Sequence, residues 1–214
     1  MPLVPTEPSM LEVLRRIVQE VDNAPSFQAA LDVLVASVRE ATDTEVCSVY
    51  LLDDRTERLV LMANEGFNPA SIGVVSLTFN EGLVGLCATR EEPINLQDAA
   101  SHPSYVYFPE TGEERYNAFL GVPIMNRRKV LGVLVVQQLE NRRFDEGEVA
   151  FLVTLSAQLS GVVAHAKVMG QLEVVRGSRA MPTQIYQGIT GATGVTLGRA
   201  VVLYPKADLE QVPD

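Results

Sequence analysis

Two cysteines and two histidines are the side chains of this chain best suited to nucleophilic or metal chemistry. Neither Cys47 nor Cys87 has metal-ligand spacing, and a reducing compartment favours thiols packed in a core over a disulfide. His102 precedes Pro103 in an irregular segment, where it would serve as a turn residue or a ligand contact, and His165 falls late in a predicted helix. Because no HExxH or GxSxG motif occurs, the sequence predicts neither a catalytic centre nor a metal site.

A long irregular segment carries the aromatic side chains that could enclose a ligand. About twenty residues between Leu96 and Ala118 match neither the helical nor the strand period, and loops of this length are commonly functional lids or disordered. Disordered loops are poor in aromatic residues, so the sequence predicts an ordered flap over a cavity. The alternative is that the rings only pack the loop onto a sheet. These aromatic residues are Tyr105, Tyr107, Phe108 and Tyr116.

Composition limits the classes of function. The 214 residues, 47% of them hydrophobic, suffice for one ordinary domain with an appendage. A net charge of -10 repels phosphate backbones, so we expect no direct nucleic-acid partner and interpret Arg127-Arg128-Lys129 as a solvated turn. The first residues lack the regions of a signal peptide, and no apolar run is of bilayer length. The sequence therefore predicts a cytoplasmic protein without a membrane partner.

Capping residues and periodicity define the elements around these side chains. Ser9 and Glu12 form a capping-box pattern before one amphipathic helix, and Ser26 precedes a second. Runs of β-branched residues separated by polar turns then predict a hairpin and further short strands. The predicted elements are helices 10–21, 27–41 and 83–89, and strands 46–52, 58–63, 76–79 and 94–96.

A second hairpin is predicted to form the centre of the sheet. Its strands cover residues 118–124 and 130–138, separated by a polar turn. Gly132 and the β-branched content favour a strand over a helix, and a strand that is apolar throughout is usually covered on both faces. Pro123 has no N–H to donate to a ladder, which predicts a bulge or a free edge beside it.

A long helix is predicted from Asp145, with Glu148 completing a capping box, to Gly177. The 4-3-4 spacing of its apolar residues suits a helix-pairing seam as well as a core-facing stripe. Two alternatives therefore stay open. The helix either pairs with a second copy of the chain, in a homodimer with residues 145–176 in the contact, or packs only within the domain. The seam residues are Leu155, Leu159, Val162 and Ala166.

The tail after Pro182 has a different composition, with glycines among small apolar residues and then the strand-like RAVVLY. A phosphate-binding loop is excluded because no Gly-Lys-Ser/Thr ending and no strand-loop-helix context is present. The glycines are interpreted as bends in an extended segment that opens a new domain.

Residues 10–167 resemble a GAF domain, through EGLVG with EPINL, the aromatic flap, FLGVPI and VLGVLVVQ around a turn, and FDEGEVAFLVTLSAQL. DTEVCSVYL, AFLGVPI and LGVLVVQQ are similar to the amino-terminal GAF domain of the nitrogen-branch phosphotransferase-system enzyme I family. GRAVVLY is similar to the first strand of that family's phosphotransfer region. The resemblance implies an α+β fold with a central, mostly antiparallel sheet. Amino- and carboxy-terminal helices cover one face, and a ligand-covering flap covers the other.

The resemblance also implies a domain organisation. It gives a flexible start at residues 1–9, a sensory GAF domain at 10–167 and a connecting helix or linker at 168–182. The beginning of an incomplete phosphotransfer domain follows at 183–214.

A regulatory module is the function that the resemblance implies. The full-length family protein takes phosphate from phosphoenolpyruvate onto its own histidine, with magnesium, and passes it to a histidine-containing carrier protein. Neither histidine here lies in the family's Gly-Gly-x-Thr-Ser-His setting, so the chain is expected to be non-catalytic and to need no cofactor. Cyclic nucleotides, which other GAF domains bind, are disfavoured. Their Asn-Lys-Phe-Asp-Glu signature is matched only loosely, by Asn141, Arg142, Phe144, Asp145 and Glu146.

Glutamine is the ligand that the resemblance implies, held between the sheet and the flap at residues 98–116. Such a ligand needs cationic donors for its carboxylate, an acceptor for its ammonium and apolar walls. We predict Arg90 or Arg115 for the carboxylate and Asp98 for the ammonium, with the four flap aromatics as walls. The competing hypothesis is a structural dimerisation domain whose pocket is filled by its own aromatic side chains.

Overall fold

The computed structural model describes residues 9–111 and 116–171, which form an α+β domain around one antiparallel sheet. The strand order is β3-β2-β1-β6-β5-β4. The strands are β1 (Val46–Asp53), β2 (Arg58–Glu65), β3 (Ser76–Leu77), β4 (Ile94–Leu96), β5 (Ala118–Asn126) and β6 (Lys129–Gln138). The helices are α1 (Met10–Asp22), α2 (Phe27–Thr42), α3 (Gly82–Arg90) and α4 (Glu146–Val168), with a 3-10 turn at Pro69–Ser71.

The central hairpin is confirmed, with β6 between β1 and β5 in the middle of the sheet. Its turn is shorter than predicted, because Asn126 pairs with Lys129 and leaves two residues in the turn. A register shift falls at Ile124/Met125, next to Pro123. Strand β4 pairs with β5 only as far as Gly121, so Pro123 also has the free edge that its missing N–H requires.

Gly132 lies in the interior of β6, where a glycine normally weakens a strand. A Cβ at this position would collide with the Tyr50 carbonyl oxygen of the neighbouring strand β1. The close approach of the two backbones therefore explains the glycine.

The sheet separates two apolar cores, as the predicted fold class requires. Helices α1, α2 and α4 pack on one face, over alternate strand residues such as Cys47, Val49 and Leu51. Helix α3 and the flap cover the other face, which includes Tyr50 and Phe119. The second face is the one where a ligand site was predicted.

Helix α4 ends at Val168 and not at Gly177 as the sequence predicted. Gly170 adopts φ +67°, and the Gln171 N–H donates to the Ala166 carbonyl oxygen at 2.9 Å. A left-handed glycine with this hydrogen bond is the Schellman arrangement that terminates helices. The prediction of a longer helix was wrong. It was based on apolar spacing that continues to Leu172 and Val175, which lie outside the described residues, and this spacing does not reveal the termination at Gly170.

Helix α4 is, among the described residues, the one helix long and apolar enough to cross a membrane by length and composition alone. Its buried residues include Leu152, Leu155 and Leu159, which lie in the helix-side core. Packing on the sheet therefore accounts for much of its apolar character.

Candidate ligand site beneath the flap

A small cavity lies between the sheet and the flap, at the predicted place. Its volume is about 20 Å³, which is space for roughly one water molecule. Drug-sized ligands occupy pockets of about 300–1,000 Å³, so the flap lies closed on the sheet in this conformation. The cavity is lined by Tyr50, Leu77, Gly82, Leu83, Val84, Tyr105, Val106, Phe108, Phe119 and Gln137.

Strand alternation positions the side chains of the sheet in this site. Cys47, Val49 and Leu51 of β1 point into the helix-side core, so Ser48 and Tyr50 lie on the opposite face of the sheet. The same alternation in β6 brings Gln137 to the cavity. Tyr50 and Gln137 form the floor of the cavity, and Ser48 lies on the same face of the sheet outside the cavity lining.

Ser48, on the flap-side face of the sheet, has a hydroxyl that the described part of the chain leaves unsatisfied. The residue is fully buried, and its Oγ has no hydrogen-bond partner in the described part of the chain. A buried hydroxyl without a partner costs about 1–3 kcal/mol. Gln137 nearby is only 3% exposed. The flap-side face of the sheet therefore contains a buried hydroxyl without a partner among the described residues and, at the cavity, a carboxamide.

Both ends of the flap are anchored to the body of the domain. The Ala99 N–H at the start of the flap donates to the carbonyl oxygen of Asn117 just after its end, at 2.7 Å, and the Asn117 N–H donates to the Gln138 carbonyl oxygen at 2.9 Å. Within the flap, the Thr111 carbonyl oxygen accepts the Asn68 N–H at 3.4 Å. These contacts fix the ends of the segment that carries the aromatic side chains.

The four predicted aromatic residues separate into three environments. Tyr105 and Phe108 are half-buried and line the cavity. Tyr107 is 36% exposed. Tyr116 is buried in a separate cluster with Phe67, at a ring-centroid distance of 6.0 Å. The structure thus brings two of the four rings to the predicted site.

Arg90 and Asp98, the two predicted charged residues that the structure describes, lie away from the cavity lining. Arg90 ends α3 on the surface, 3.7 Å from the Glu92 carboxylate. The Asp98 carboxylate accepts the Ser101 N–H at 3.2 Å and so supports a turn at the start of the flap. Arg115 lies outside the described residues. None of the described residues that line the cavity is charged.

The two thiols lack the properties of nucleophiles. Cys87 is buried on α3, where burial raises its pKa to about 12, and its thiol donates to the Glu92 carbonyl oxygen at 3.4 Å. Burial also raises the pKa of Cys47 strongly. Because the thiolate is the reactive form, neither residue is prepared for catalysis.

The two histidines lie on different elements, and neither belongs to a metal-binding group among the described residues. The His102 Nδ1 accepts the Ser104 N–H at 3.1 Å, which makes it a turn residue. His165 is exposed in the last turn of α4. Among the described residues, no group of three or more histidine, cysteine or acidic side chains is placed to hold a metal ion.

The segment resembling the cyclic-nucleotide signature has a structural role at the start of α4. The Arg142 guanidinium donates to both Glu148 carboxylate oxygens at 2.8 and 2.9 Å, and this pairing raises the pKa of Arg142. The same guanidinium lies 4.6 Å from the centre of the Phe144 ring. Asp145 caps α4 through the Glu148 N–H at 2.9 Å.

The chain matches the GAF domain family model over residues 26–163, and it belongs to this family. It is 49% identical to the GAF domain of the Acinetobacter phosphoenolpyruvate-protein phosphotransferase, with a TM-score of 0.71 over 78% of this chain and 100% of that one. It is 48% identical to the GAF domain of a phosphoenolpyruvate-protein phosphotransferase (ptsP) from Coxiella burnetii, with a TM-score of 0.73 over 76% of this chain and 97% of that one.

A full-length relative is the phosphoenolpyruvate-dependent phosphotransferase system protein of Salmonella typhimurium, 46% identical over 185 residues. These residues are 86% of this chain and 25% of the relative, so the chain spans about a quarter of the relative's length. The chain is therefore a GAF domain of the phosphoenolpyruvate-protein phosphotransferase type, and the predicted family is confirmed.

Tyr50 and Gln137 of the cavity lining, and Ser48 on the same face of the sheet, are residues that the sequence interpretation did not select. β1 and β6 are covered on both faces, so hydrophobic alternation does not reveal which residues face the flap. A polar residue inside a strand that is otherwise apolar was the available signal for Ser48.

Proposed function

We propose that this chain is the small-molecule-sensing module of a cytoplasmic phosphoenolpyruvate-dependent phosphotransferase and that it binds glutamine beneath the flap. The observation that carries the proposal is the buried Ser48 hydroxyl, which has no partner in the described part of the chain. Together with Gln137 it offers the neutral hydrogen-bonding groups that a carboxamide needs. Arg90, Arg115 and Asp98 stay candidates for the charged end of the ligand.

Binding in this site requires the flap to move. A cavity of about 20 Å³ is too small for glutamine, so Tyr105 and Phe108 have to leave the space that they line. The ligand would hold the flap in an altered position, and this change is the signal that a sensory module can pass on.

A thermal shift with matched serine variants tests the proposal. A ligand that binds only the native state stabilises it by RT ln(1 + [L]/Kd), which is about 2.7 kcal/mol at a hundredfold excess over Kd. Ser48→Ala should remove most of the shift. Ser71→Ala is the control, because Ser71 is equally buried but its hydroxyl donates to the Asn68 carbonyl oxygen. No shift in the unmodified chain would contradict glutamine binding.

The phosphotransferase context adds further proposals about the whole protein. A full-length protein of this type would transfer phosphate from phosphoenolpyruvate, with Mg²⁺, to a histidine-containing carrier protein. This chain would contribute the sensory domain at residues 10–167, a connection at 168–182 and the start of a phosphotransfer domain at 183–214. We propose that the chain alone does not transfer phosphate, so incubation with labelled phosphoenolpyruvate and Mg²⁺ should leave it unlabelled.

A structural dimerisation domain is the second candidate function, favoured by the closed flap with its self-filled pocket. The predicted seam does not supply the contact, because Leu155 and Leu159 are at most 2% exposed and pack within the domain. The outer face of α4 is the alternative surface. Residues 149–166 contain no charged residue, and Val153 on this face is 39% exposed.

Gly161 supports a homodimer through this outer face. A glycine inside a helix costs about 1 kcal/mol relative to alanine, and a Cβ at Gly161 would meet nothing within 4 Å. The described fold therefore gives no reason for its small size. A second copy of α4 that crosses at Gly161 would supply one, since small residues allow helices to approach closely.

Sedimentation of paired variants tests the dimer. Val153→Glu should yield monomers, whereas Val74→Glu, at a position 63% exposed outside the helices, should leave association unchanged. Gly161→Ala should raise helix stability and weaken association. An unmodified chain that is monomeric at roughly tens of micromolar would contradict the proposal.

A further inference from the structure

The β5–β6 turn presents three adjacent cations at the tip of a hairpin. Arg127, Arg128 and Lys129 are exposed, and in the described part of the chain none of them has a carboxylate within ion-pair distance. The chain as a whole carries a net charge of -10. Residues 127–129, called the basic tip below, are thus a local positive site on an acidic protein.

The backbone of the basic tip has an unfavourable conformation for its residues. Arg127 has φ 47° and Arg128 has φ 65°, so both lie in the left-handed region. A two-residue hairpin turn of this kind favours Asn-Gly, since residues with a Cβ are disfavoured at positive φ. The two arginines are therefore not the residues that best form this turn. Strained backbone of this kind concentrates at functional positions.

Two acids of the neighbouring turn at this end of the sheet are already engaged. Leu51 of β1 pairs with Gly132, so the β1–β2 turn lies at the same end as the basic tip. In that turn, Asp54 binds the Lys167 ammonium at 3.0 Å. Asp53 accepts the backbone N–H of Arg55 at 3.0 Å. The positive charge of the tip thus remains available to a partner.

We propose that the basic tip is a docking site for a small acidic patch on another protein surface. Opposite charges steer such an encounter and fix its orientation. DNA and anionic membranes are extended negative surfaces, and they would also meet the acidic remainder of the domain. A compact acidic patch can contact the tip alone, because charges farther away than the Debye length of about 8–10 Å are largely screened.

The test is an NMR titration of the isotope-labelled chain with a short synthetic peptide of alternating glutamate and serine. The peptide should shift the amide signals of residues 126–130. Arg127→Asn combined with Arg128→Gly should weaken this binding about fivefold or more, because it removes two exposed charge pairs. Arg15→Gln combined with Arg16→Gln removes the same charge from the exposed side of α1 and should leave binding unchanged.

A second readout separates docking from a structural role of the arginines. The Asn-Gly variant relaxes the turn and should raise Tm by roughly 2–6 °C while it loses binding. Shifts away from residues 126–130, or equal weakening by both double variants, would overturn the proposal. Tighter binding of duplex DNA or phosphatidylserine vesicles than of the acidic peptide at the tip would contradict an acidic protein patch as the partner. A lower Tm of the Asn-Gly variant would contradict the argument from backbone strain.

Discussion

Replacement of Ser48 by alanine should stabilise the ligand-free protein, although it removes a polar atom from a fully buried position. In the folded state the hydroxyl has lost its water and has no hydrogen-bond partner among the described residues, which costs about 1–3 kcal/mol. Alanine has no such group to desolvate. A small part of the gain is lost because the deleted oxygen leaves a void.

We therefore expect the free energy of unfolding to rise by about 1–2 kcal/mol. A domain of this size gains roughly 2–4 °C in Tm for each kcal/mol, so Tm should rise by about 2–8 °C. Urea unfolding followed by circular dichroism measures the free energy, and an unchanged m-value would show that the compactness of both states is preserved.

Ser71→Ala makes the same chemical change with the opposite expected sign. Ser71 is 1% exposed, and its Oγ donates to the Asn68 carbonyl oxygen at 2.6 Å. Removing this hydrogen bond should cost about 0.5–1.5 kcal/mol. If both variants lose stability, the Ser48 hydroxyl has a partner within the folded protein, and the argument for an open hydrogen-bonding position beneath the flap fails.

Two further variants and a labelling experiment test the packing. Gly132→Ala should destabilise the domain by about 2 kcal/mol or more, measured by urea unfolding, because its Cβ would collide with the Tyr50 carbonyl oxygen. Arg142→Met should cost about 1 kcal/mol in the same assay, through loss of the two hydrogen bonds to Glu148. Cys87, with a pKa raised to about 12, should resist alkylation at pH 8 until the protein unfolds. Rapid labelling of the native protein would show that the thiol is accessible.

The helix starts and the central hairpin could be predicted because local chemistry determines them. Ser9 with Glu12 and Asp145 with Glu148 form the capping boxes that their spacing indicated. The end of α4 could not be predicted from periodicity, which does not distinguish a tolerated glycine from a left-handed one. Gly170 terminates the helix even though the apolar spacing continues.

The candidate site was predicted only in outline because its geometry depends on the fold of an irregular segment. Aromatic content identified the flap, but not that Tyr116 would turn away to pack against Phe67. The Asp98 carboxylate supports a turn through the Ser101 N–H, a contact that sequence spacing alone did not suggest. Long-range packing decides where Tyr116 lies, whereas the Asp98 contact is local and spans three residues.

The chemistry of the floor also predicts how an amino-acid ligand would be oriented. Charged groups lose much of their hydration free energy when buried without a partner, and the described residues lining the cavity carry no charge. The carboxamide should therefore enter towards Ser48 and Gln137, with the ammonium and carboxylate at the mouth of the site. Asparagine should compete with glutamine in a thermal-shift titration, whereas glutamate, which would place a carboxylate on the neutral floor, should not. Equal stabilisation by glutamate and glutamine would reverse this orientation and assign recognition to the charged end.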